Sequence, residues 1–357
     1  MKLTDVELRR EFKGRTCFVT GADGFVGSNM VDLLVKWGAD VRVFIRATSS
    51  GALHNLAHLK DSIRVHRGSL ADVQSVRAAV RNLRDGQGTI IFHLAAQAHV
   101  GESWERPYDT IESNVIGTLN LLQSCVEEQL VIHKFDTAGT SEEYGNVHQD
   151  WRDKHDFQDD GRLVLHERSP TNPKSLYATS KLAADFLTMN YFDAYGLPTV
   201  TTRMFNNYGP RQNPRYITGT VITQALSRER VELGNLSPRR DFCYVEDGVR
   251  GHMHVALAGT PGEVYVYGQG ENIAISDWVQ MILDVGERQG FWPRRKVVAL
   301  DSRLRPGRSD VEELLVGYEK LHSLTGWNPS HSWEEGIEKT IAWYAEHRDR
   351  WIGRVDW

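Results

Sequence analysis

The sequence predicts an α/β protein with a doubly wound parallel sheet and a smaller, mostly C-terminal second lobe. Short apolar strands alternate with helical stretches along the N-terminal part, an order typical of a parallel sheet with helices on both faces. A glycine-rich turn at Gly21–Gly27 lies directly between the first of these strands and the next helix. The length of 357 residues, 40% of them hydrophobic, is enough for about two domains with their own cores.

Each element is predicted from its apolar periodicity and from the turn residues at its ends. Thr16–Thr20 is a short apolar strand, and Ser28–Trp37 is a helix that ends at Gly38. The later strands are Val41–Ile45, Ile63–His66, Thr89–Leu94, His133–Asp136, Val200–Phe205 and Gly262–Tyr267. The later helical stretches are Val73–Leu83, Thr110–Glu128 and Leu176–Tyr195. The polar stretch Asn146–Pro173 has little periodicity and is predicted to be a long loop.

The two lobes are expected to be interleaved along the chain. Residues 1–206, together with 238–268, are predicted to form the domain that contains the sheet, because Gly262–Tyr267 is predicted to be a late strand of it. Residues 207–237 and 269–357 are predicted to form the second lobe.

Composition and charge argue against several classes of protein. A formal charge of −5 with interspersed signs argues against a general nucleic-acid or membrane-surface binder, which would need a basic surface. No apolar run approaches the roughly 18–20 residues of a membrane span, and the first residues are charged, unlike a signal peptide. Cys17, Cys125 and Cys243 are widely spaced and have no metal-ligand spacing. We therefore expect no metal and a cytoplasmic, reducing compartment.

The glycine turn predicts a Rossmann-type site for a dinucleotide. Gly21, Gly24 and Gly27 permit a tight turn and a close approach of backbone to a pyrophosphate at the start of a helix, although their spacing differs from GxGxxG. Arg46 stands at the end of the second strand, where NAD-type folds usually carry an acidic residue. A guanidinium there favours NADP over NAD because it suits a 2′-phosphate. The alternative, that Arg46 stacks on adenine or points to water, stays open.

Two further patterns supply groups for acid–base chemistry. Tyr177 and Lys181 are separated by four residues and therefore share a helix face, where the lysine charge can lower the pKa of the phenol. Thr140 and Glu142 follow a predicted strand and are expected at the carboxyl edge of the sheet, where open α/β folds bind ligands. Taken alone, each pattern also fits a plain surface pair or a helix cap.

Together these segments resemble the extended short-chain dehydrogenase/reductase family, and in particular the nucleotide-sugar 4,6-dehydratases. The resemblance covers nearly the whole chain. Its motifs are Thr20-Gly-Ala-Asp-Gly-Phe-Val-Gly27, His93-Leu-Ala-Ala-Gln-Ala-His-Val100, Asn114-Val-Ile-Gly-Thr118, Thr140-Ser-Glu142, Tyr177 with Lys181, Phe205-Asn-Asn-Tyr-Gly-Pro-Arg211, Arg240-Asp-Phe-Cys-Tyr-Val-Glu-Asp247 and Gly326-Trp-Asn-Pro329.

The resemblance implies a reaction in which a tightly bound NADP or NAD ends as it began. Tyr177 would deprotonate the sugar 4-hydroxyl while hydride leaves C4, with Thr140 and Lys181 assisting. Glu142 would then remove the C5 hydrogen, the C6 hydroxyl would be lost, and hydride would return to C6. The product would be a 4-keto-6-deoxy sugar nucleotide.

The resemblance also implies which residues contact each ligand. Those expected at the active centre are Thr140, Ser141, Glu142, Tyr177 and Lys181. Those expected on the cofactor are Gly21, Gly24, Phe25, Val26, Gly27, Arg46, Ser69, Leu70, Leu94, Ala95, Ala96, Tyr177 and Lys181. Those expected on the nucleotide-diphosphate sugar are His99, Ser103, Asn206, Arg211, Arg240 and Arg305. Ser69 stands where the family commonly has Asp, and Ser141 stands where some dehydratases have Asp.

Other activities on the same scaffold stay open. Thr140-Ser-Glu142 occurs in UDP-glucuronate decarboxylases as well as in dehydratases, and Val100-Gly-Glu-Ser103 is similar to sugar 4-epimerases. A 5-epimerase and a non-catalytic dinucleotide-binding regulator are further alternatives. The resemblance also implies a homodimer formed by the helices Thr110–Glu128 and Leu176–Tyr195.

Overall fold

The computed structural model describes residues 2–48, 51–83, 88–304 and 310–352. The strands are β1 (Thr16–Thr20), β2 (Asp40–Arg46), β3 (Arg64–Gly68), β4 (Thr89–His93), β5 (Ile132–Thr140), β6 (Asp156–Phe157), β7 (Leu163–Val164), β8 (Thr199–Met204), β9 (Asn206–Tyr208), β10 (Arg230–Leu233), β11 (Arg239–Arg240), β12 (Phe242–Tyr244), β13 (Val264–Tyr267), β14 (Ile273–Ala274) and β15 (Lys296–Ala299). The helices are α1 (Asp5–Phe12), α2 (Phe25–Lys36), α3 (Val73–Arg81), α4 (Val100–Glu105), α5 (Pro107–Ile111), α6 (Gly117–Glu127), α7 (Leu176–Tyr195), α8 (Ile217–Ser227), α9 (Val245–Ala258), α10 (Ile275–Arg288), α11 (Glu319–Thr325) and α12 (Trp333–Glu346).

Seven parallel strands form the main sheet in the order β13-β8-β5-β4-β1-β2-β3. Helices α2 and α9 pack on one face, and α3, α6 and α7 pack on the other. The central strands β1 and β4 are buried along their whole length because both faces are covered. The predicted Rossmann-type doubly wound fold is confirmed, and β13 is the late strand expected near Gly262–Tyr267.

The remaining C-terminal elements pack around α8, α10 and α12. The short parallel pair β10 and β15, the pair β9 and β12, and the antiparallel pair β11 and β14 connect these helices to the carboxyl edge of the main sheet. Trp278 is fully buried and stacks on Phe242 with ring centroids 4.1 Å apart. Aromatic packing therefore supplies much of the apolar contact between these elements.

The structure changes the predicted bounds most at three elements. Helix α2 begins at Phe25 and not at Ser28, because Gly24 is its N-cap and the last glycine of the turn already lies in the first helical turn. Strand β5 continues to Thr140, beyond the predicted Asp136, because β8 pairs with it up to that residue. The predicted helix Thr110–Glu128 is divided into α5, a π-helical turn at Glu112–Ile116, and α6.

The predicted loop Asn146–Pro173 contains regular structure. A 3₁₀ turn covers Gln149–Lys154, and the antiparallel pair β6 and β7 follows it. Helix α7 has the predicted bounds Leu176–Tyr195, since Ser175 caps its start and Gly196 ends it with a left-handed φ of 66°. Over the described ranges, no helix combines the length and apolar character needed to cross a membrane.

Candidate active site

A large cavity of about 2260 Å³ lies at the carboxyl edge of the main sheet. The glycine turn, the ends of β2 and β5, the first turns of α7 and several C-terminal segments line it. Ligands of open α/β sheets bind at this edge. The predicted site residues that line the cavity are Gly21, Gly24, Phe25, Val26, Gly27, Arg46, Ser69, Leu70, Leu94, Ala95, Ala96, His99, Thr140, Ser141, Glu142, Tyr177, Lys181, Asn206, Arg211 and Arg240.

The glycine turn has no space for side chains at its two ends. Gly21 has a φ of +67°, and a Cβ atom there would lie 2.8 Å from the Cα of Ala95. A Cβ atom on Gly27 would lie 2.3 Å from the carbonyl oxygen of Gly21. Gly24 is the N-cap of α2 and lines the cavity, and it has no side chain to bond the amides of the first helical turn. The positive end of the helix therefore faces the cavity. This cradle suits an anionic group such as a pyrophosphate.

Asp23 is a residue of this turn whose role the sequence analysis did not anticipate. Its carboxylate accepts hydrogen bonds from the backbone amides of His54, Asn55 and Leu56 at 2.8, 2.7 and 3.1 Å. The side-chain amide of Asn55 in turn donates to the backbone carbonyl of Asp23 at 2.7 Å. The loop after β2 is therefore tied to the glycine turn, and an Asp inside a glycine motif is the signal that could have indicated it.

The Thr140–Glu142 run forms the end of β5 and the start of a 3₁₀ turn at Ser141–Glu143. The Thr140 hydroxyl accepts a hydrogen bond from the amide of Glu142 at 3.3 Å, so it caps this turn. Glu142 is 8% exposed and lines the cavity. The end of β5 thus places the hydroxyl of Thr140 and the carboxylate of Glu142 at the carboxyl edge of the sheet.

Tyr177 and Lys181 lie in the first turns of α7 and both line the cavity. The loss of water around the Tyr177 phenol is the largest influence on its pKa and raises it, whereas the hydrogen bond with the side chain of Thr140 lowers it. Tyr216 and Glu142 add to the rise. The sequence analysis expected the opposite direction, because spacing indicates the nearby lysine but not the surrounding protein that displaces water.

Lys181 is only 4% exposed, and burial lowers the pKa of its ammonium group. The carboxylates of Glu143 and Asp185, when they are ionised, oppose that effect and favour the charged lysine. The pKa of Lys181 therefore depends on whether these neighbouring buried acids are ionised.

His93 connects three elements beneath the cavity. Its Nδ1 lies 2.8 Å from the hydroxyl of Thr20, and its Nε2 lies 2.9 Å from the hydroxyl of Thr118. Burial, followed by the charge of Lys181, lowers the pKa of His93 to about 3, so the ring is neutral at physiological pH. The sequence analysis used His93 only as part of a motif and assigned it no role.

The residues expected to meet an anionic ligand lie on the C-terminal side of the cavity. Arg240 is 5% exposed, and its guanidinium donates to the carbonyl of Arg239 at 3.0 Å. The Oδ1 of Asn206 is a buried atom that has no hydrogen-bond partner among the described residues. Arg211 also lines the cavity, and its guanidinium pairs with Asp32 at 2.6 Å. Arg211 thus shares its charge with a neighbouring acid before any ligand binds.

Among the described residues, Ser103 is the one predicted ligand contact that does not line the cavity. Ser103 is fully buried in α4, where its hydroxyl donates to the carbonyl of Val100 at 2.6 Å, because a short polar side chain inside a helix satisfies itself on the preceding turn. Its expected sugar contact stays a prediction, although its side chain does not line the cavity. Arg305 lies outside the described residues.

The family model for GDP-mannose 4,6 dehydratase matches residues 18–340 of this chain. The match includes the glycine turn, the Thr140–Glu142 run at the end of β5, the start of α7 and most of the C-terminal elements. The chain belongs to the GDP-mannose 4,6 dehydratase family. The resemblance to the nucleotide-sugar 4,6-dehydratases is thereby confirmed.

Individual relatives and solved structures are similar to this chain over nearly their full length. The dTDP-glucose 4,6-dehydratase of Escherichia coli is 31% identical over 355 residues, which cover 95% of this chain and 96% of that protein. The dTDP-glucose 4,6-dehydratase of Streptomyces venezuelae, solved with NAD bound, has a TM-score of 0.80 at 27% identity and covers 95% of this chain and 99% of that one. The UDP-glucose 4-epimerase of Thermus thermophilus, solved with NAD, has a TM-score of 0.79 at 28% identity and covers 93% and 99%.

Tyr216 is a cavity residue of this family member that the sequence analysis missed. Its hydroxyl donates to the carbonyl of Ala98 at 3.0 Å, and its ring meets that of His99 edge to face at 5.6 Å. Burial, followed by Glu102, raises the pKa of Tyr216 to about 12. No spacing rule connects residues 99 and 216, so only the folded chain identifies this contact.

Proposed function

We propose that this protein is an NAD(P)-dependent nucleotide-sugar 4,6-dehydratase, a hydro-lyase that converts an NDP-hexose to the NDP-4-keto-6-deoxyhexose. The observation that carries the proposal is that the Glu142 carboxylate lines the same cavity as the Tyr177 and Lys181 pair. An alcohol oxidation needs only the pair, whereas an elimination needs a second base. The full-length similarity to dTDP-glucose 4,6-dehydratases supports the same activity.

The residues of the glycine turn fit a dinucleotide. Glycines at 21 and 27 let backbone approach a pyrophosphate, and the first turn of α2 offers amide groups to it. The Streptomyces and Thermus relatives were solved with NAD. We propose that this chain binds NADP or NAD tightly, with Arg46 at the exposed end of β2 favouring the 2′-phosphate of NADP.

The first half of the proposed reaction oxidises C4 of the sugar. When bound, the nicotinamide supplies a hydride acceptor for C4 and later returns that hydride to C6. Tyr177 takes the proton of the C4 hydroxyl, and Thr140, which already hydrogen-bonds the phenol, holds the reacting oxygen. Lys181 contributes positive charge on the same helix face, which favours the phenolate.

The second half uses Glu142 as the base. The C4 ketone makes the C5 hydrogen acidic, Glu142 removes that proton, and the C6–O bond breaks as a C5–C6 double bond forms. The protons held by Tyr177 and Glu142 account for the released water and for the new C5 hydrogen. Ser141 carries no acidic proton for the leaving group, so Glu142 is proposed as base and as proton donor.

The sugar-linked diphosphate is proposed to lie on the C-terminal side of the cavity. Arg240, which is buried, and Asn206, whose Oδ1 is buried, are the first candidates there, and Arg211 is a further candidate. A guanidinium can pair with two phosphate oxygens at once, which favours a diphosphate over a neutral sugar.

A sugar 4-epimerase is the second candidate, because the Thermus UDP-glucose 4-epimerase matches this fold as well as the dehydratase does. The two activities differ in the mass of their product relative to the substrate. We expect incubation with dTDP-glucose, GDP-mannose, UDP-glucose and UDP-glucuronate to give one product lighter by one water. An unchanged mass with an altered sugar would indicate the epimerase, and loss of carbon dioxide would indicate the decarboxylase. The mass of the dinucleotide released on denaturation would identify NADP or NAD.

We also propose a homodimer formed through the helices next to the active centre. Tyr108, Ile111 and Ile116 near α5 and Phe186 and Tyr195 on α7 are exposed apolar side chains, and these helices pack against each other. We expect sedimentation at micromolar concentration to show a dimer, and Phe186→Asp to give a monomer because it places a charge on the apolar face. The control Ile352→Asp, at an exposed apolar residue elsewhere, should stay dimeric. A wild-type monomer would contradict the proposal.

Two further expectations stay predictions. A cytoplasmic location rests on the three free cysteines, all of which are buried. The division into a dinucleotide-binding domain (1–206 with 238–268) and a substrate lobe (207–237 and 269–357) rests on the order of the elements.

A further inference from the structure

Glu143 is a second carboxylate directly after the proposed base, and it does not reach the cavity. It is fully buried. Its Oε1 accepts a hydrogen bond from the amide of Thr140 at 2.8 Å, and its Oε2 lies 2.9 Å from Nε of Arg203. The residue therefore holds the backbone of a proposed active-site group from beneath.

Arg203 connects Glu143 to a helix on the same side of the sheet. Its Nε and Nη2 donate to Oδ2 of Asp185 at 2.9 and 2.6 Å. Tyr177, Lys181 and Asp185 follow one another at intervals of four residues on α7, so they share one helix face. Glu143, Lys181, Asp185 and Arg203 are each at most 5% exposed, and we call these four side chains the buried charge layer.

The rest of the surroundings contain few compensating charges. Nη1 of Arg203 donates to the hydroxyl of Tyr144 at 3.1 Å and to the backbone carbonyl of Glu167 at 3.3 Å. The carboxylate of Glu167 points elsewhere and accepts from the amide of Val266 at 3.2 Å. On the cavity side, the Tyr177 phenol is influenced by the charge of Glu143, and Glu142 acts on the same phenol.

The state of Glu143 decides the net charge of this layer. Lys181 and Arg203 are cations and Asp185 is an anion, so the layer is neutral when Glu143 is ionised and carries one positive charge when Glu143 is protonated. Burial is the main influence on Glu143 and, with the charge of Asp185, raises its pKa to about 8, although Arg203 opposes the rise. Its Oε2 has no hydrogen-bond partner with suitable geometry among the described residues, which leaves room for a proton there.

We infer that Glu143 is a positioning residue that sets the charge beneath Lys181 and Tyr177 without touching the substrate. The inference rests on the proposed roles of Tyr177 and Lys181. An ionised Glu143 helps Lys181 to keep its proton and disfavours the phenolate of Tyr177, whereas a protonated Glu143 does the reverse. Because this part of the protein excludes water, one charge has a larger effect here than at the surface.

The pH profile of the reaction tests this role. Glu143→Gln keeps an oxygen for the Thr140 amide but can never ionise. Its alkaline limb, where Lys181 loses its proton, is expected at a pH about one unit below that of wild type. Rates at neutral pH should stay within about threefold of wild type, because a neutral side chain occupies the position in both proteins. Reduction of bound nicotinamide by the sugar nucleotide is the rate to measure.

The matched control is Glu128→Gln, which removes a carboxylate that is 9% exposed and paired with Arg77 and Arg81, away from the cavity. Its profile should coincide with that of wild type. An alkaline limb that moves down in Glu143→Gln alone supports the inference, whether or not the acid limb moves with it. A profile that keeps its shape, or is lowered equally at every pH, overturns it.

A second measurement does not depend on the reaction. The pKa of Glu143 is raised from 4.5 in the unfolded chain to about 8, so the folded protein holds the proton more tightly, and this contribution to stability is lost as pH rises through that range. The urea midpoint of Glu143→Gln should therefore gain on that of wild type between about pH 5 and about pH 9. An equal difference at both pH values overturns the inference, even if the proposed activity is correct. If the urea midpoint of Glu143→Gln gains on that of wild type but the wild-type protein turns over no sugar nucleotide, only the proposed function is contradicted.

Discussion

Glu142→Gln is expected to reduce its bound nicotinamide with the sugar nucleotide yet to form the 4-keto-6-deoxy product about 10³-fold more slowly than wild type. The glutamine side chain has the same size as that of glutamate. The substitution also leaves the backbone amide of residue 142, which donates to the Thr140 hydroxyl at 3.3 Å, unchanged. The glutamine cannot remove the C5 proton. The oxidised intermediate should therefore accumulate, because the step before Glu142 remains and the step after it is lost.

The measurement combines absorbance of reduced nicotinamide with the mass of the sugar nucleotide. Glu246→Gln is the control, since Glu246 is an exposed acid on α9 that does not line the cavity. Substrate carrying deuterium at C4 gives a second readout, because the wild-type product should carry that deuterium at C6. Normal turnover by Glu142→Gln, or product without the label, would remove Glu142 from the proposed mechanism.

Tyr177→Phe is expected to stop the reaction one step earlier, with both nicotinamide reduction and product formation slower by about 10³- to 10⁴-fold. The substitution removes the hydroxyl that Thr140 hydrogen-bonds and leaves the ring in place. No other group of the described cavity is proposed to accept the C4 hydroxyl proton. The loss should thus affect the rate constant of the first half reaction more than substrate binding.

Stopped-flow absorbance after mixing with substrate measures this loss, and Tyr195→Phe is the control because Tyr195 is 57% exposed on the same helix. Tyr177 acts as a base only when its phenol is ionised, and burial raises the pKa of that phenol. The wild-type rate is therefore expected to rise with pH on its acid side. Rapid nicotinamide reduction by Tyr177→Phe would show that another group takes the proton. The two variants together separate oxidation from elimination.

Much of the fold was predictable because it depends on local pattern. Alternating apolar segments indicated the parallel sheet, and all of the predicted strands have a counterpart in it. The bounds of α7 were predicted correctly because a serine cap and a terminal glycine mark both ends. The long helix before β5 was not, since a π-helical turn has no such signal, and the side chain of Asn114 at that turn bonds residues 97 and 180.

Part of the candidate site was also predictable, because it too depends on local sequence pattern. The glycine spacing, the Tyr177 and Lys181 interval and the position of Glu142 after a strand are short-range features, and the structure brings all of them to one cavity. The motif gave the position of Ser103 but not the direction of its side chain, which turns back to the carbonyl of Val100.

The sequence by itself therefore determined the doubly wound sheet, the glycine cradle and the identity of the acid–base groups, since each depends on residues close together in the chain. Only the tertiary structure decided the electrostatics. The pKa of Tyr177 is raised and not lowered, and Glu143 is buried beside Arg203, because desolvation and ion pairing depend on every neighbour in space. Those neighbours come from segments separated by tens of residues, and no periodicity relates them.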